Sequence, residues 1–301
     1  MKSLHFLIAA AVVCSTTALA AQQKVDRRHA VTRDVYVRIN GAFASLRVTA
    51  WDRDSMALVG DVPKGTRIDG GASEPPSKGV KYYLEAPAGT QAAGRLELFV
   101  PAGATVWAKA ANATMEVSGV TGGLDLNIIG GRIAVNGTPR ELNVESMDGA
   151  VTVTGSPGWM RVKTASGNIV VNGGSPDAGL TTVSGTITAQ GGDYERARIE
   201  SVTGNVVFGG LLRRAGSLTI DSHSGTIDLA LPVKASLDIE ATTIAGSIIN
   251  NVTSRRPTPG REGRGEELSL GLGIGDARAT LRSFKGNIRL LRSDVSPNKP
   301  G

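Results

Sequence analysis

One pattern recurs through residues 106–292 of this 301-residue chain at a spacing of 18 to 21 residues. It reads apolar-x-apolar-x-Ser/Thr, two turn residues, glycine, then x-apolar-x-apolar. The glycine stands at Gly131, Gly149, Gly167, Gly185, Gly204, Gly225, Gly246 and Gly286, with Ala113 in the same phase one period earlier. Successive steps from Ala113 are 18, 18, 18, 18, 19, 21, 21 and 40, so the last gap is expected to span two periods. A fixed period of this length is the signature of a fold made by stacking one supersecondary unit.

Within each unit the apolar residues alternate, as in Leu142, Val144 and Ser146 before Gly149 and Val151 and Val153 after it. Alternation at period two marks a strand with one buried face, and the β-branched residues suit it. The patterned positions three before and two after the glycine are five apart. An odd offset cannot keep one face in a continuous strand, so the chain turns a corner at the glycine, which tolerates positive φ. A second glycine column, Gly119, Gly137, Gly155, Gly173, Gly191 and Gly210, marks another corner. Two arms and two corners per period describe one coil of a solenoid. The expected fold is all-β: a parallel β-solenoid (β-helix) of about ten 18–21-residue coils, right-handed as parallel crossovers are, with N-terminal capping strands. In that register Val151, Ile169 and Ile187 are lateral neighbours. The Ser/Thr column, including Thr164 and Thr182, faces inward and is expected to bond the corner backbone.

Residues 1–20 read as a signal peptide: Lys2, an apolar centre, and Ala18-Leu19-Ala20 as the cleavage site. Cleavage near Ala20 would deliver a soluble, exported protein to the periplasm or cell surface. The only cysteine, Cys14, falls inside that segment, where Val13 makes a poor lipidation site, so no disulfide or thiol chemistry is expected. Residues 21–34 are polar and expected to be disordered, residues 35–105 form N-terminal strands or a cap, and residues 61–78, rich in Gly, Pro and Ser, read as a loop. The repeats run over residues 106–292 and a disordered tail over 293–301.

The repeats are interrupted at residues 254–266, which hold two prolines and four arginines, Arg255, Arg256, Arg261 and Arg264. This composition reads as a projecting loop that cannot join the sheet. The net charge is +6. For an exported chain the natural counter-charges are anionic envelope polymers, lipid head groups or surface glycans rather than nucleic acid. The four arginines are the candidate contacts, and no transmembrane segment is expected. Oligomeric state is left open.

No convergent set of titratable groups marks a catalytic centre. Asp221, Ser222 and His223 are too close in sequence to form a triad on an extended arm. Glu200 and Asp221 alone make adjacent outward carboxylates, the minimum a polysaccharide-acting solenoid enzyme would need. Gly271, Gly273 and Gly275 lack the strand–turn–helix setting of a nucleotide loop. Outward Thr and Asn do not repeat in ice-binding register, and Trp51, Trp107 and Trp159 are scattered. No catalytic, metal or cofactor residue is expected.

The stretch Leu96-Glu97-Leu98-Phe99-Val100-Pro101-Ala102-Gly103-Ala104 carries a resemblance, as do the corners Ser166-Gly167, Ser184-Gly185 and Ser224-Gly225. So do Leu231-Pro232-Val233-Lys234-Ala235-Ser236-Leu237-Asp238-Ile239 and Leu46-Arg47-Val48-Thr49-Ala50-Trp51-Asp52. Together they resemble the bacterial domain-of-unknown-function family described as "putative adhesin", exported proteins built of β-strand repeats. The resemblance covers most of the chain after residue 20 and implies a non-enzymatic envelope protein presenting a binding surface. It supplies no catalytic residues. A polysaccharide-acting enzyme and a purely structural, stress-associated periplasmic protein are the alternatives.

Overall fold

The computed structural model describes residues 22–89 and 94–293, so the expected signal peptide and nearly all of the expected tail lie outside the described residues. The chain is all-β, with one 3-10 turn at Arg261–Gly263 and no α-helix among the described residues. The repeated arms pair in parallel at the expected register. Val151 lies between Ile133 and Ile169, Ile169 pairs with Ile187, and Ile187 with Val206. On the other arm Leu142, Met160 and Ala178 follow one another in the same way. All these side chains are buried and belong to one continuous apolar core.

The two corners use glycine for different reasons. Positive φ is the rule in the second column, as at Gly155 and Gly173 with φ of 127° and 139°, whereas in the first column it occurs at Gly131. That corrects the expectation for the first column, where Gly167, Gly185 and Gly204 are not left-handed. There the coils approach so closely that a Cβ on Gly185 would fall on the carbonyl oxygen of Gly167, and one on Gly204 on that of Gly185. Backbone against backbone, rather than backbone strain, excludes a side chain.

Chain order and spatial order part at both ends. The arm ending Val206–Ser222 pairs with Arg278–Ser283, and Ile227–Pro232 pairs with Ile288–Ser293. Leu237–Thr243 and Ile248–Asn250 lie on the far side of that last coil. The glycine order in space is therefore Gly225, Gly286, Gly246. The gap of two periods does not extend an ordered stack; it carries the chain out and back, so that its final coil is inserted inside. The N-terminal end mirrors this. Thr105–Ser118 pairs with residues 36–40 and with Ser45–Trp51, and these pair in turn with Ser77–Glu85 and Arg95–Pro101. The first coil thus sits between the second and the third.

Antiparallel strands close both ends. Arg67–Ala72 lies on Ser77–Glu85, Ser55–Pro63 on Arg95–Pro101, and Glu266–Leu272 on Leu237–Thr243. A stack of parallel coils would otherwise expose a full ladder of unpaired backbone groups. These closures explain two departures from expectation. Residues 22–34 are ordered in the strand Gln22–Gly41, whose first part pairs from Gln22↔Pro63 to Ala30↔Ser55 with Val25 and Val31 buried. Its polar residues are the exposed side of an outer strand. Residues 61–78 likewise contain Arg67–Ala72, whose glycines sit in an edge hairpin.

Candidate functional site

The basic loop begins at a side-chain clamp. Asn250 Nδ2 donates to the carbonyl oxygen of Arg255 at 2.8 Å, and Asn250 Oδ1 accepts from the Val252 N–H at 3.0 Å. The segment then returns to the sheet, where Thr258–Pro259 pairs antiparallel with Glu267 and Glu266. The loop therefore does touch the sheet edge, contrary to expectation. Its prolines are tolerated because the edge strand needs few donors. Arg255, Arg256, Arg261 and Arg264 are all exposed, and none forms an ion pair among the described residues. The nearby Glu266 is otherwise engaged, its Oε2 accepting from the Ile248 N–H at 2.5 Å. Other outward arginines do find carboxylates: Arg289 grips Asp228 at 2.5 Å and Arg47 holds Glu116 at 3.1 Å, while Arg38 has no ion pair among the described residues.

Glu200 and Asp221 do stand side by side, on paired strands. Both are drawn into a charge ladder. Arg198 reaches Glu200 at 2.6 Å and Asp221 at 3.9 Å, and Arg282 approaches Asp221 at 3.9 Å from the other side. His223 is stacked on Phe284 with ring centroids 5.1 Å apart and does not complete a triad. No group of three or more His, Cys, Asp or Glu side chains converges in metal-binding geometry among the described residues.

The inward hydroxyls at the corner are engaged locally. Thr164 Oγ1 donates to the carbonyl oxygen of Gly167 at 2.6 Å and lies 3.0 Å from Thr182 Oγ1, which accepts from the Gly185 N–H at 3.1 Å. One proton per hydroxyl lets this run as a relay from Gly185 through both threonines to Gly167. Ser146 in the same column is buried without a partner. Thr182→Val is therefore expected to lower unfolding free energy by about 1–3 kcal/mol, because it strands the Gly185 N–H. Ser146→Ala should stay within about 0.5 kcal/mol, since it breaks no bond. Urea titrations of the two variants check this; equal losses would remove the relay from the explanation.

One surface feature was not singled out as a site by sequence reasoning. The turn residues two before the corner glycine, Ile129, Met147, Val183, Val202, Phe284 and Ile244, form a line of large apolar side chains 44–55% exposed. Grooves of about 690 and 750 Å³ run beside it. The signal was present, since the turn column is apolar in most periods, but turns carry no burial pattern that sets such a column apart.

The described residues form an all-β, solenoid-like stack of coils with one continuous apolar core. The model of the Toastrack DUF4097 family matches residues 62–289, and the chain belongs to that family, a domain-of-unknown-function group described as "putative adhesin". Among solved structures, a putative adhesin from Parabacteroides distasonis ATCC 8503 is similar at 11% identity and TM-score 0.48, covering 89% of this chain and 97% of its own. A putative adhesin from Parabacteroides merdae ATCC 43184 is similar at 13% identity and TM-score 0.47, over 90% of this chain and 95% of that one. A putative lipid binding protein from Parabacteroides distasonis ATCC 8503 shares 14% identity at TM-score 0.39, over 88% and 96%. No curated protein matches the chain. No helix among the described residues is long and apolar enough to cross a membrane.

Proposed function

We propose that the protein is an exported, non-enzymatic binding scaffold of the cell envelope, adhesin-like, built on about ten right-handed coils. Its partner is anionic: an envelope polymer, a lipid head group or a surface glycan. The carrying observation is the set of four exposed guanidiniums, Arg255, Arg256, Arg261 and Arg264, that form no ion pair among the described residues. Several other outward arginines, Arg47, Arg161 and Arg289 among them, are held in ion pairs between neighbouring coils, whereas the loop offers charge that no described residue neutralises. The signal-like residues 1–20 support export. The neutralisation of Glu200 and Asp221 by Arg198 and Arg282 supports a non-catalytic role.

The test is binding to vesicles of phosphatidylglycerol and to immobilised acidic glycans, with and without Arg→Ser changes at the four loop positions. On the lipid arm the quadruple variant should bind at least ~100-fold more weakly at low salt, at about 1 kcal/mol per basic residue near an anionic surface. Raising ionic strength should erase the difference, because exposed charges are screened within about 8 Å at physiological salt. Equal binding to the vesicles by both proteins at every salt concentration would leave the loop as solvated decoration, and failure of the parent to bind either vesicles or glycans would favour a purely structural periplasmic role.

A further inference from the structure

A second set of cations lies about 50 Å from the loop along the stack, at roughly 4.8 Å per strand. It sits on the outward face of three neighbouring strands near the N-terminal end. Register places Lys81, Arg38 and Trp107 side by side in one row, and Tyr83, Asn40 and Lys109 in the next. Tyr36 and Thr105 form the row before them. Lys81, Arg38 and Lys109 make no ion pair among the described residues. Midway along the same face the pattern is the reverse: Arg161 pairs with Asp177 at 2.8 Å and Lys163 with Glu145 at 3.8 Å.

Arg38 is held without any acid. Its guanidinium carbon lies 4.1 Å from the centroid of the Trp107 ring and 5.9 Å from that of Tyr83, so two rings on adjacent coils bracket it. Its Nε is buried and has no hydrogen-bond partner. The carboxylates nearest by register are occupied or displaced. Asp69, opposite Tyr83, is bonded to Arg67 at 2.7 Å, and Asp125, beyond Trp107, accepts from Asn127 at 2.6 Å. A guanidinium fixed by aromatic rings and short of acceptors is pre-organised for a planar oxyanion, which takes two of its N–H groups at once.

We propose that this face binds an acidic polysaccharide, with Arg38 taking a carboxylate in the bidentate manner and Lys81 and Lys109 taking flanking charges. The proposal is independent of the basic loop. Three observations favour a glycan over other polyanions. The face of the largest ring, Trp107, is already covered by Arg38, so a nucleic-acid base has no platform there to stack on. The exposed large side chains of the patch are tyrosines, 38% and 42% exposed at Tyr36 and Tyr83, and no aliphatic side chain projects to enter a bilayer. Asn40, Thr105 and the two tyrosine hydroxyls have no partner among the described residues and suit sugar hydroxyls.

The experiment measures binding of the protein to immobilised polygalacturonate, with neutral dextran, single-stranded DNA and phosphatidylglycerol vesicles as parallel arms. The expected result is salt-sensitive binding to polygalacturonate, none to dextran, and a loss of roughly tenfold to a hundredfold in R38Q, the scale of a lost charge-assisted hydrogen bond. R38K should be nearly as weak, because an ammonium keeps the charge but not the fork. Changing the four loop arginines to serine should leave this binding in place, which separates the two sites. Unchanged melting temperatures exclude misfolding as the cause, the substituted atoms being on the outer face. Absence of binding to polygalacturonate would overturn the proposal, as would R38Q binding like the parent, or tighter R38-dependent binding to DNA or vesicles.

Discussion

Gly204→Ala is expected to destabilise the protein by more than ~3 kcal/mol, a large effect for adding one methyl group. The added Cβ would fall on the carbonyl oxygen of Gly185 in the neighbouring coil. That oxygen belongs to backbone, so no flexible side chain can swing away. Relief requires the two coils to part, and each coil is held by ladders on both arms and by buried residues such as Val206 and Ile199. The damage would also spread, because Gly225 stacks on Gly204 just as Gly204 stacks on Gly185. Gly191→Ala is the comparison: it carries positive φ at 69° but a Cβ there meets nothing within 4 Å. Its cost should be only about 1–2 kcal/mol of backbone strain. Thermal and urea unfolding of the two variants decide the matter. A mild effect at Gly204 would show that the coils are less tightly stacked than described.

Ending the chain at residue 276 is expected to be more damaging still. The lost segment is the last in sequence but not in space. Arg278–Ser283 and Ile288–Ser293 lie between two other coils and bury Ala279, Leu281, Ile288 and Leu290. Their removal opens a gap inside the stack and strips ladder partners from coils on both sides. The loss should exceed ~5 kcal/mol, beyond that of a single large-to-small core change, and should abolish one cooperative unfolding transition. Ending the chain at residue 293 instead keeps every described ladder, including Pro232↔Ser293, and should leave the transition unchanged. A truncation at 276 that melts like the full chain would mean that the outer coil can simply slide down onto its chain neighbour.

How far the architecture was legible follows from what repeats. Inward columns such as Val151, Ile169 and Ile187 recur at fixed phase, so the arms, the corners and the parallel register could be read directly. The order of the terminal coils could not, because every coil carries the same inward pattern and any two can stack. That order is written instead in outward side chains that differ from coil to coil. Asp228 and Arg289 form a bidentate pair, Arg47 donates through both Nε and Nη2 to Glu116 Oε2, and both pairs make sense only if first and last coils are inserted. The asparagine ladder says the same. Asn168 accepts from Thr186, Asn205 from Thr226 and Asn287 from Ser247, an alternation regular in space but broken in chain order.

The polar start of the chain misled for a related reason. An outer strand shows solvent most of its side chains, and Gln22–Gly41 contributes only Val25 and Val31 to the core over its first ten residues. Of the candidate sites, the arginine loop was legible as composition, since four arginines among prolines and glycines have nowhere to be buried. The Arg38 patch was not. Arg38, Lys81 and Lys109 are far apart in sequence and meet only because the first coil is inserted between the next two.

The inserted order at the C-terminal end is tested most directly by cysteine pairs, with Cys14 first replaced by serine so that no other thiol is present. Thr219 and Thr280 are register partners on adjacent strands, and Glu240 is the partner of Thr280 on its other side. Neighbouring parallel strands lie about 4.8 Å apart, within disulfide reach, whereas strands two apart lie near 10 Å, outside it. Under mild oxidation T219C/T280C should cross-link rapidly and nearly completely, and T219C/E240C should not. Efficient cross-linking of T219C/E240C with none in T219C/T280C would place the coils in chain order and contradict the inserted architecture.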